Sequence, residues 1–148
     1  MQRREFMKSA CIACLAPGLG SLTALFSSCA SAPVYRAEPE GDTLRVPASA
    51  LGADPVTIVR AAGADYDIAL VKTGPGTFGA LLLRCTHADN TLAYRGSEFT
   101  CSLHGSRFDT EGHVIHGPAS LPLKRLPVSL DGGVITIRTD PSVYQVPP

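Results

Sequence analysis

A chain of 148 residues is long enough for one domain with a hydrophobic core and too short for several. Tryptophan is absent and aromatic residues make up 6%, whereas there are 14 glycines and 12 prolines, which disfavours a helical bundle and favours a loop-rich β domain. The 13 basic and 13 acidic side chains cancel, and no basic patch or Arg/Lys-rich helix occurs, so the composition argues against a nucleic-acid partner.

Residues 1–28 predict an export signal. Arg3 and Arg4, followed by Phe6, Met7 and Lys8, resemble the twin-arginine signal, whose route carries folded proteins with their cofactors already inserted. The apolar run over 9–28 is interrupted by proline and glycine, which is typical of a signal-peptide core rather than of a stable spanning helix.

The end of this run resembles a bacterial lipoprotein cleavage site, Leu25-Phe26-Ser27-Ser28-Cys29, in which Cys29 is the candidate for lipidation. An ordinary cleavage nearby and an uncleaved N-terminal anchor are the alternatives. Residues 29–40 are small, polar and proline-containing, so we expect them to form a tether.

From residue 41 onward, short apolar runs bounded by Gly, Pro and Asp predict strands, and no helical period occurs. The predicted strands are 43–46, 56–60, 67–72, 78–84, 98–101, 106–109, 114–115, 124–130 and 133–138. Hairpin turns are expected at 73–77 and at Asp131-Gly132, and a turn or single helical turn at 51–54. The pattern predicts an all-β, antiparallel domain over 41–140, followed by an irregular C-terminal tail over 141–148.

Two Cys/His pairs carry the chemistry of the chain: Cys85-x-His87 and, thirteen residues later, Cys101-x-x-His104. Two thiolates and two imidazoles form a structural zinc set, and two cysteines of an exported protein can form a disulfide. They also fit a [2Fe–2S] cluster in which histidines replace two thiolates on one iron. In common zinc fingers both Cys precede a helix that carries both His, whereas the order alternates here across two loops.

The flanks of these pairs are similar to those of Rieske [2Fe–2S] proteins, which carry Cys-x-x-His-Gly-Ser-x-aromatic-Asp and a Gly-Pro-Ala loop that caps the cluster. The matching segments are His104-Gly105-Ser106, Phe108-Asp109, Gly112 and Gly117-Pro118-Ala119. The resemblance covers about 43–138 and implies an antiparallel β-sandwich of short strands with a two-loop cluster-binding subdomain. It assigns Cys85 and Cys101 to the inner iron and His87 and His104 to the outer iron, with Gly105, Ser106, Phe108 and Pro118 around the cluster.

Two departures from the respiratory and photosynthetic members concern the cluster environment. The two positions where those members have disulfide-forming cysteines are Asn90 and Leu103 here, so no disulfide can form between them. In lacking this disulfide, the chain resembles the ferredoxins of ring-hydroxylating oxygenases. Phe108 replaces a tyrosine that donates to a ligand sulfur, whereas Ser106 keeps a hydroxyl able to donate to a bridging sulfide. Donors to sulfur favour the reduced cluster, so keeping the Ser106 hydroxyl while losing the phenol predicts an intermediate midpoint potential, inside the Rieske span of about −150 to +300 mV.

The resemblance implies a membrane-associated one-electron carrier on the periplasmic side of a bacterial membrane, either free-standing or as a small subunit of a larger redox system. Its partners would be redox proteins: a cytochrome, a quinol-oxidising complex or a periplasmic oxidoreductase. The Rieske subunit of a quinol-oxidising cytochrome bc-type complex is one alternative, and a non-redox, zinc- or disulfide-stabilised β domain is another. No catalytic triad, phosphate loop or carboxylate pair suggests substrate chemistry, and His113 and His116 are interpreted as solvated loop residues.

Overall fold

The computed structural model of the protein describes residues 31–139. The predicted export signal over 1–28, the candidate lipidation residue Cys29 and the predicted tail over 141–148 lie outside the described residues. Between residues 31 and 139, no helix is long and apolar enough to cross a membrane.

The described residues form thirteen short strands and one 3-10 turn. The strands are β1 (Val34–Ala37), β2 (Pro39–Glu40), β3 (Thr43–Pro47), β4 (Val56–Ala61), β5 (Ile68–Gly74), β6 (Thr77–Leu82), β7 (Leu92–Tyr94), β8 (Glu98–Cys101), β9 (Arg107–Asp109), β10 (Val114–His116), β11 (Arg125–Leu126), β12 (Val128–Asp131) and β13 (Val134–Arg138). The 3-10 turn is Ala48–Ala50.

The strands are arranged in three sheets. A central sheet has the order β1-β4-β5-β6-β11, an outer sheet β12-β13-β3-β2, and a third, which we call the loop sheet, β10-β9-β8-β7. Neighbouring strands run antiparallel, as predicted, except that β1 runs parallel to β4, with Val34 opposite Ile58.

The central sheet is buried on both faces, which explains why β4, β5 and β6 are apolar almost throughout. Side chains that alternate along these strands belong to two different cores. The core against the outer sheet includes Val59, Leu70 and Ala80, and the core against the loop sheet includes Ile58, Val71 and Leu81. The loop sheet is therefore packed on a fully formed layer.

Four sequence-based expectations differ from the structure. Residues 34–40 were assigned to a tether but form β1 and β2. Because β1 lies at the edge of its sheet and buries only Ala37, its sequence has few apolar residues and resembles that of a linker. β7 was not predicted because it has three residues, of which only Leu92 is buried. The predicted strand 124–130 is divided at Pro127, which has no N–H to donate. A turn or a single helical turn was expected at 51–54; the helical turn is the 3-10 turn Ala48–Ala50, and bends follow it at 53–55.

Strand register brings three loops to the same end of the loop sheet. Leu92 at the start of β7 pairs with Cys101 at the end of β8, and Arg107 at the start of β9 pairs with His116 at the end of β10. We call residues 85–90 loop 1, residues 101–106 loop 2 and residues 117–122 the cap loop. All the residues that the sequence assigns to the metal centre, apart from Phe108, lie in these loops.

Candidate metal centre

Loop 1 is closed by two backbone hydrogen bonds. The N–H of Cys85 donates to the carbonyl oxygen of Asn90 at 2.8 Å, and the N–H of Asp89 donates to the carbonyl oxygen of Cys85 at 3.2 Å. Asp89 has a φ of 45°, a left-handed conformation that is uncommon for a non-glycine residue. This turn leaves Cys85 fully buried and His87 exposed.

Loop 2 makes the same turn. The N–H of Cys101 donates to the carbonyl oxygen of Ser106 at 2.8 Å, and the N–H of Gly105 donates to that of Cys101 at 3.1 Å. Gly105, four residues after its cysteine as Asp89 is after Cys85, also has a positive φ, of 79°. Again the cysteine is buried and the histidine, His104, is exposed.

The four predicted ligands come together in two layers. Cys85 and Cys101 are buried in the same core and are both free thiols, so they do not form a disulfide. Above them, the imidazole rings of His87 and His104 meet edge to face, with centroids 5.2 Å apart and planes at 75°. In the part of the chain that the structure describes, no three His, Cys, Asp or Glu side chains form a group that could hold a metal ion.

The surroundings of Cys101 favour its thiolate form. Burial raises the pKa of this thiol, but hydrogen bonds from the backbone of Leu103, the side chain of Asn90, the Cys85 thiol and the backbone of His104 outweigh burial and lower the pKa below its ordinary value. The thiolate is the form of cysteine that binds metals. These donors therefore fit a metal-bound sulfur at this position.

The cap loop is attached to both cluster loops. The hydroxyl of Ser106, fully buried, accepts a hydrogen bond from the N–H of Ala119 at 3.0 Å. On the other side, the hydroxyl of Thr86 donates to the carbonyl oxygen of Leu121 at 2.7 Å. Pro118, which follows a cis peptide bond, is exposed between these two contacts. By accepting from Ala119, Ser106 keeps its own hydroxyl hydrogen for a further acceptor.

Phe108 lies in β9, directly after loop 2, and its side chain is fully buried. Its register partner across the sheet is Phe99 of β8, which is equally buried. A phenyl ring has no hydrogen-bonding group, so Phe108 contributes apolar packing beneath loop 2 and donates to no sulfur.

Sequence reasoning identified Asn90 only by the cysteine that it replaces. In the structure its side-chain Nδ2 lies 3.7 Å from Sγ of Cys101, so a residue of loop 1 contacts the cysteine of loop 2. A signal was available in the sequence: Asn90 is the fifth residue after Cys85, just as Ser106 is the fifth after Cys101.

A second missed contact fixes Asp89 from outside loop 1. Its carboxylate pairs with Arg84 at 2.7 Å, and its carbonyl oxygen accepts a hydrogen bond from the hydroxyl of Tyr66 at 2.7 Å. The guanidinium of Arg84 also lies over the Tyr66 ring, 5.6 Å from its centroid. No local sequence pattern joins Tyr66 to a residue 23 positions later.

The exposed surface of the three loops is nearly uncharged and includes two large apolar side chains. Apart from the two histidines, Asp89 is the single acidic or basic residue of these loops, and Arg84 compensates its charge. Leu103 and Leu121 are 56% and 63% exposed, an unusual position for large apolar side chains. A partner protein that docks over the two histidines would therefore meet exposed leucine side chains and little net charge.

Comparison with known proteins agrees with this geometry. The family model of the Rieske [2Fe-2S] domain matches residues 44–127. The cytochrome b6-f complex iron-sulfur subunit 1 of Synechocystis sp. is 46% identical over 48 residues, which cover 31% of this chain and 27% of that protein. Subunit 3 of Nostoc sp. is 37% identical over 73 residues, or 45% of this chain and 41% of that protein. The chain thus matches less than half the length of these curated relatives.

Among solved structures, a chain of the complex of reduced oxygenase and oxidized ferredoxin in carbazole 1,9a-dioxygenase superposes with a TM-score of 0.50. The match has 24% identity and covers 67% of this chain and 94% of the other, which supports the fold alone. The family model, in contrast, covers more than half of the chain and includes both cluster loops and the cap loop. The protein therefore belongs to the Rieske [2Fe–2S] domain family, and it is an all-β electron carrier with a Rieske-type [2Fe–2S] cluster rather than a zinc- or disulfide-stabilised domain.

Proposed function

We propose that Cys85 and Cys101 bind the inner iron of the cluster, that His87 and His104 bind the outer iron, and that the protein carries single electrons on the periplasmic side of a bacterial membrane. One observation above all supports the ligand assignment. Two loops of identical turn geometry place both thiols inside and both imidazoles outside.

Each layer has its own role in this proposal. When bound, the cluster supplies a one-electron couple. The buried cysteines hold it against the apolar core beneath the loop sheet, which keeps water from the sulfurs. The histidines face solvent at the surface where a partner docks, so they form the short route for the electron. The cap loop, fixed through Ser106 and Thr86, would shield a cluster held between the two loops from solvent.

The test is a redox titration of the anaerobically purified protein followed by electron paramagnetic resonance, with iron and sulfide analysis. We expect a rhombic signal whose average g value lies below that of all-thiolate [2Fe–2S] clusters. Cys101→Ala and His104→Ala should lose the signal. His116→Ala, which changes an exposed histidine of β10 outside the loops, should retain it.

The outcomes of this test are distinct. A colourless wild-type protein with zinc or no metal would refute the cluster altogether. A normal Rieske signal in Cys101→Ala or His104→Ala would refute the ligand assignment while leaving the family membership intact.

The location rests on the sequence of residues 1–29. A twin-arginine signal followed by Cys29 supports export of the folded, cluster-loaded protein and attachment to the membrane through a lipid or an N-terminal anchor. Incorporation of a labelled fatty acid into the wild type but not into Cys29→Ala would support lipidation. Equal incorporation into both would exclude Cys29, and membrane-bound but unlabelled wild type would favour an uncleaved anchor.

The second candidate is the Rieske subunit of a quinol-oxidising cytochrome bc-type complex. The curated relatives are cytochrome b6-f iron-sulfur subunits, and an apolar, uncharged tip suits docking to a membrane-embedded partner. Against it stand Asn90 and Leu103 in place of the disulfide, and Phe108 in place of the tyrosine. A midpoint potential in the upper Rieske range, with oxidation of quinol in the presence of a cytochrome bc complex, would favour this role over the free carrier.

A further inference from the structure

Asn90 and Ser106 hold equivalent positions in the two cluster loops. Each is the fifth residue after a proposed cysteine ligand, and each accepts the N–H of that cysteine at 2.8 Å through its own backbone carbonyl oxygen. Both side chains turn inward from the loop. Ser106 contacts the cap loop through Ala119, whereas Asn90 reaches Sγ of Cys101 in the opposite loop.

We propose that Asn90 is a positioning residue that links the two cluster loops by donating its side-chain amide hydrogen to the ligand sulfur of Cys101, and that it raises the midpoint potential of the cluster by doing so. The proposal rests on the ligand assignment made above. Asn90 stands where other members have a disulfide cysteine, and in this proposal it also connects loop 1 to loop 2, through a hydrogen bond.

The neighbours of Asn90 hold its side chain in place for this contact. The backbone on one side is fixed by Asp89, whose carboxylate and carbonyl oxygen are held by Arg84 and Tyr66. Its own carbonyl oxygen is held by the N–H of Cys85. The amide therefore projects from a backbone fixed on both sides, and the remaining freedom is rotation about the side-chain bonds.

The chemistry of the contact has one favourable orientation. An amide N–H donates to a negatively charged sulfur, whereas the amide oxygen would face it with a lone pair. Because the reduced cluster carries one electron more, a donor to its sulfur stabilises the reduced form over the oxidised form. Loss of the donor should therefore lower the midpoint potential, and a carboxylate at the same place should lower it further.

The second consequence concerns retention of the cluster. Loop 1 and loop 2 contact each other through the Asn90 amide, the Cys85–Cys101 contact and the two imidazole rings. Without the amide, the apposition of the loops depends more on the cluster itself. Asn90 variants should therefore release iron faster to a chelator than the wild type does.

The test compares Asn90→Ala, Asn90→Leu and Asn90→Asp with the wild type as intact cluster-loaded proteins. Thr91→Ala is the matched control, because Thr91 is the next residue and its side chain is exposed. For each protein, the midpoint potential is titrated by electron paramagnetic resonance, and the bleaching of the visible absorption is timed after addition of ethylenediaminetetraacetic acid.

We expect all the variants to keep a Rieske-type signal, since no ligand is changed. The midpoint potential should fall in the order wild type, Asn90→Ala, Asn90→Asp, with Asn90→Leu near Asn90→Ala and Thr91→Ala equal to the wild type. Bleaching should be faster in the three Asn90 variants. If one of them holds no cluster, Asn90→Asp, which keeps the shape of the side chain, provides the comparison.

Unchanged midpoint potentials in the loaded Asn90 variants would overturn the proposal, even with faster bleaching, because a merely structural residue would change retention alone. This failure differs from a failure of the ligand assignment. In that case the wild type itself would lack the Rieske signal, or Cys101→Ala would keep it.

Discussion

The hydroxyl of Ser106 and the backbone N–H of Ala119 meet at 3.0 Å in a place that solvent does not reach. One buried hydrogen bond thus fixes the cap loop to loop 2, although 13 residues separate the two in sequence. Because the same hydroxyl keeps its hydrogen, Ser106 can link the cap loop and the cluster at once.

Replacing Ser106 with alanine should therefore affect both stability and potential. The Ala119 N–H would lose its acceptor while remaining buried, at a cost of about 1–3 kcal/mol in the free energy of unfolding. Loss of the hydroxyl donor should also lower the midpoint potential. Thermal unfolding and redox titration of the loaded protein measure the two effects, and Ser102→Ala, at an exposed position of the same loop, should change neither. A wild-type midpoint potential in Ser106→Ala would contradict the donor role.

The left-handed backbone of Asp89 predicts an unusual ranking of two substitutions. Asp89→Gly and Asp89→Ala both lose the ion pair with Arg84, so they differ mainly in their backbone. An alanine with a positive φ lowers the free energy of unfolding by about 1–2 kcal/mol through strain in the folded backbone. A glycine lowers it by about 0.4–1 kcal/mol, because glycine increases the entropy of the unfolded chain. Asp89→Gly should therefore be the more stable by up to about 1.6 kcal/mol in the free energy of unfolding, measured from the difference in denaturant midpoints. The reverse order would show that loop 1 relaxes out of this turn.

The uncharged tip predicts electron exchange that depends little on salt. Self-exchange between oxidised and reduced copies should change weakly with ionic strength, because long-range charge steering is what salt screens. Leu103→Glu places like charges on both docking surfaces, so its self-exchange should be slower at low salt and recover at high salt. Leu130→Glu, at an exposed leucine of β12, is the control. Equal behaviour of the two variants would place the exchange contact away from loop 2.

Acid should weaken the turn between β9 and β10. Burial raises the pKa of Asp109, but hydrogen bonds from the backbone and ring of His113 and the backbone of Glu111 outweigh burial and lower the pKa below its ordinary value. Because the pKa of Asp109 is lower in the folded state, its ionised carboxylate stabilises the fold. This stabilisation is complete at a pH above the ordinary pKa of aspartate, and it is lost as the pH falls through the lower pKa of the folded state.

The measurement for this turn is the unfolding temperature of the wild type and of Asp109→Asn from pH 7 to pH 3. The wild type should be the more stable at pH 7, and the difference should narrow below about pH 4. A constant difference over the whole range would mean that the turn depends on the shape of the side chain rather than on its charge.

Sequence reasoning worked where the signal was local. The strand 98–101 was predicted with the bounds that β8 has, because its ends coincide with a turn and with a cysteine loop. The spacing indicated the four proposed ligands as a possible metal set, since each pair lies within one loop, and the resemblance to Rieske proteins assigned them to a [2Fe–2S] cluster. The residues that flank these pairs predicted the family, and the match to the family model confirms it.

The contacts that arrange the centre depend on pairs distant in sequence. Tyr66 and Asp89, or Ser106 and Ala119, become neighbours only when β-sheet register brings their segments together. The left-handed φ of Asp89 could not be predicted from the sequence either, because aspartate adopts this conformation far less often than glycine, which occupies the equivalent position at Gly105. The parallel strand β1 was missed because half of its residues face solvent, as linker residues do.

If Cys29 carries a lipid, the incorporation of β1 into the central sheet limits how far the folded domain can move from the membrane. Ala32 already packs against the core beneath the loop sheet, so only two residues lie between Cys29 and the folded body, and three Cα–Cα steps join them. Even fully extended, three such steps span only about 10 Å. If Cys29 carries the lipid, the domain stays close to the bilayer surface, and its partners must diffuse to it within the membrane plane or just above it.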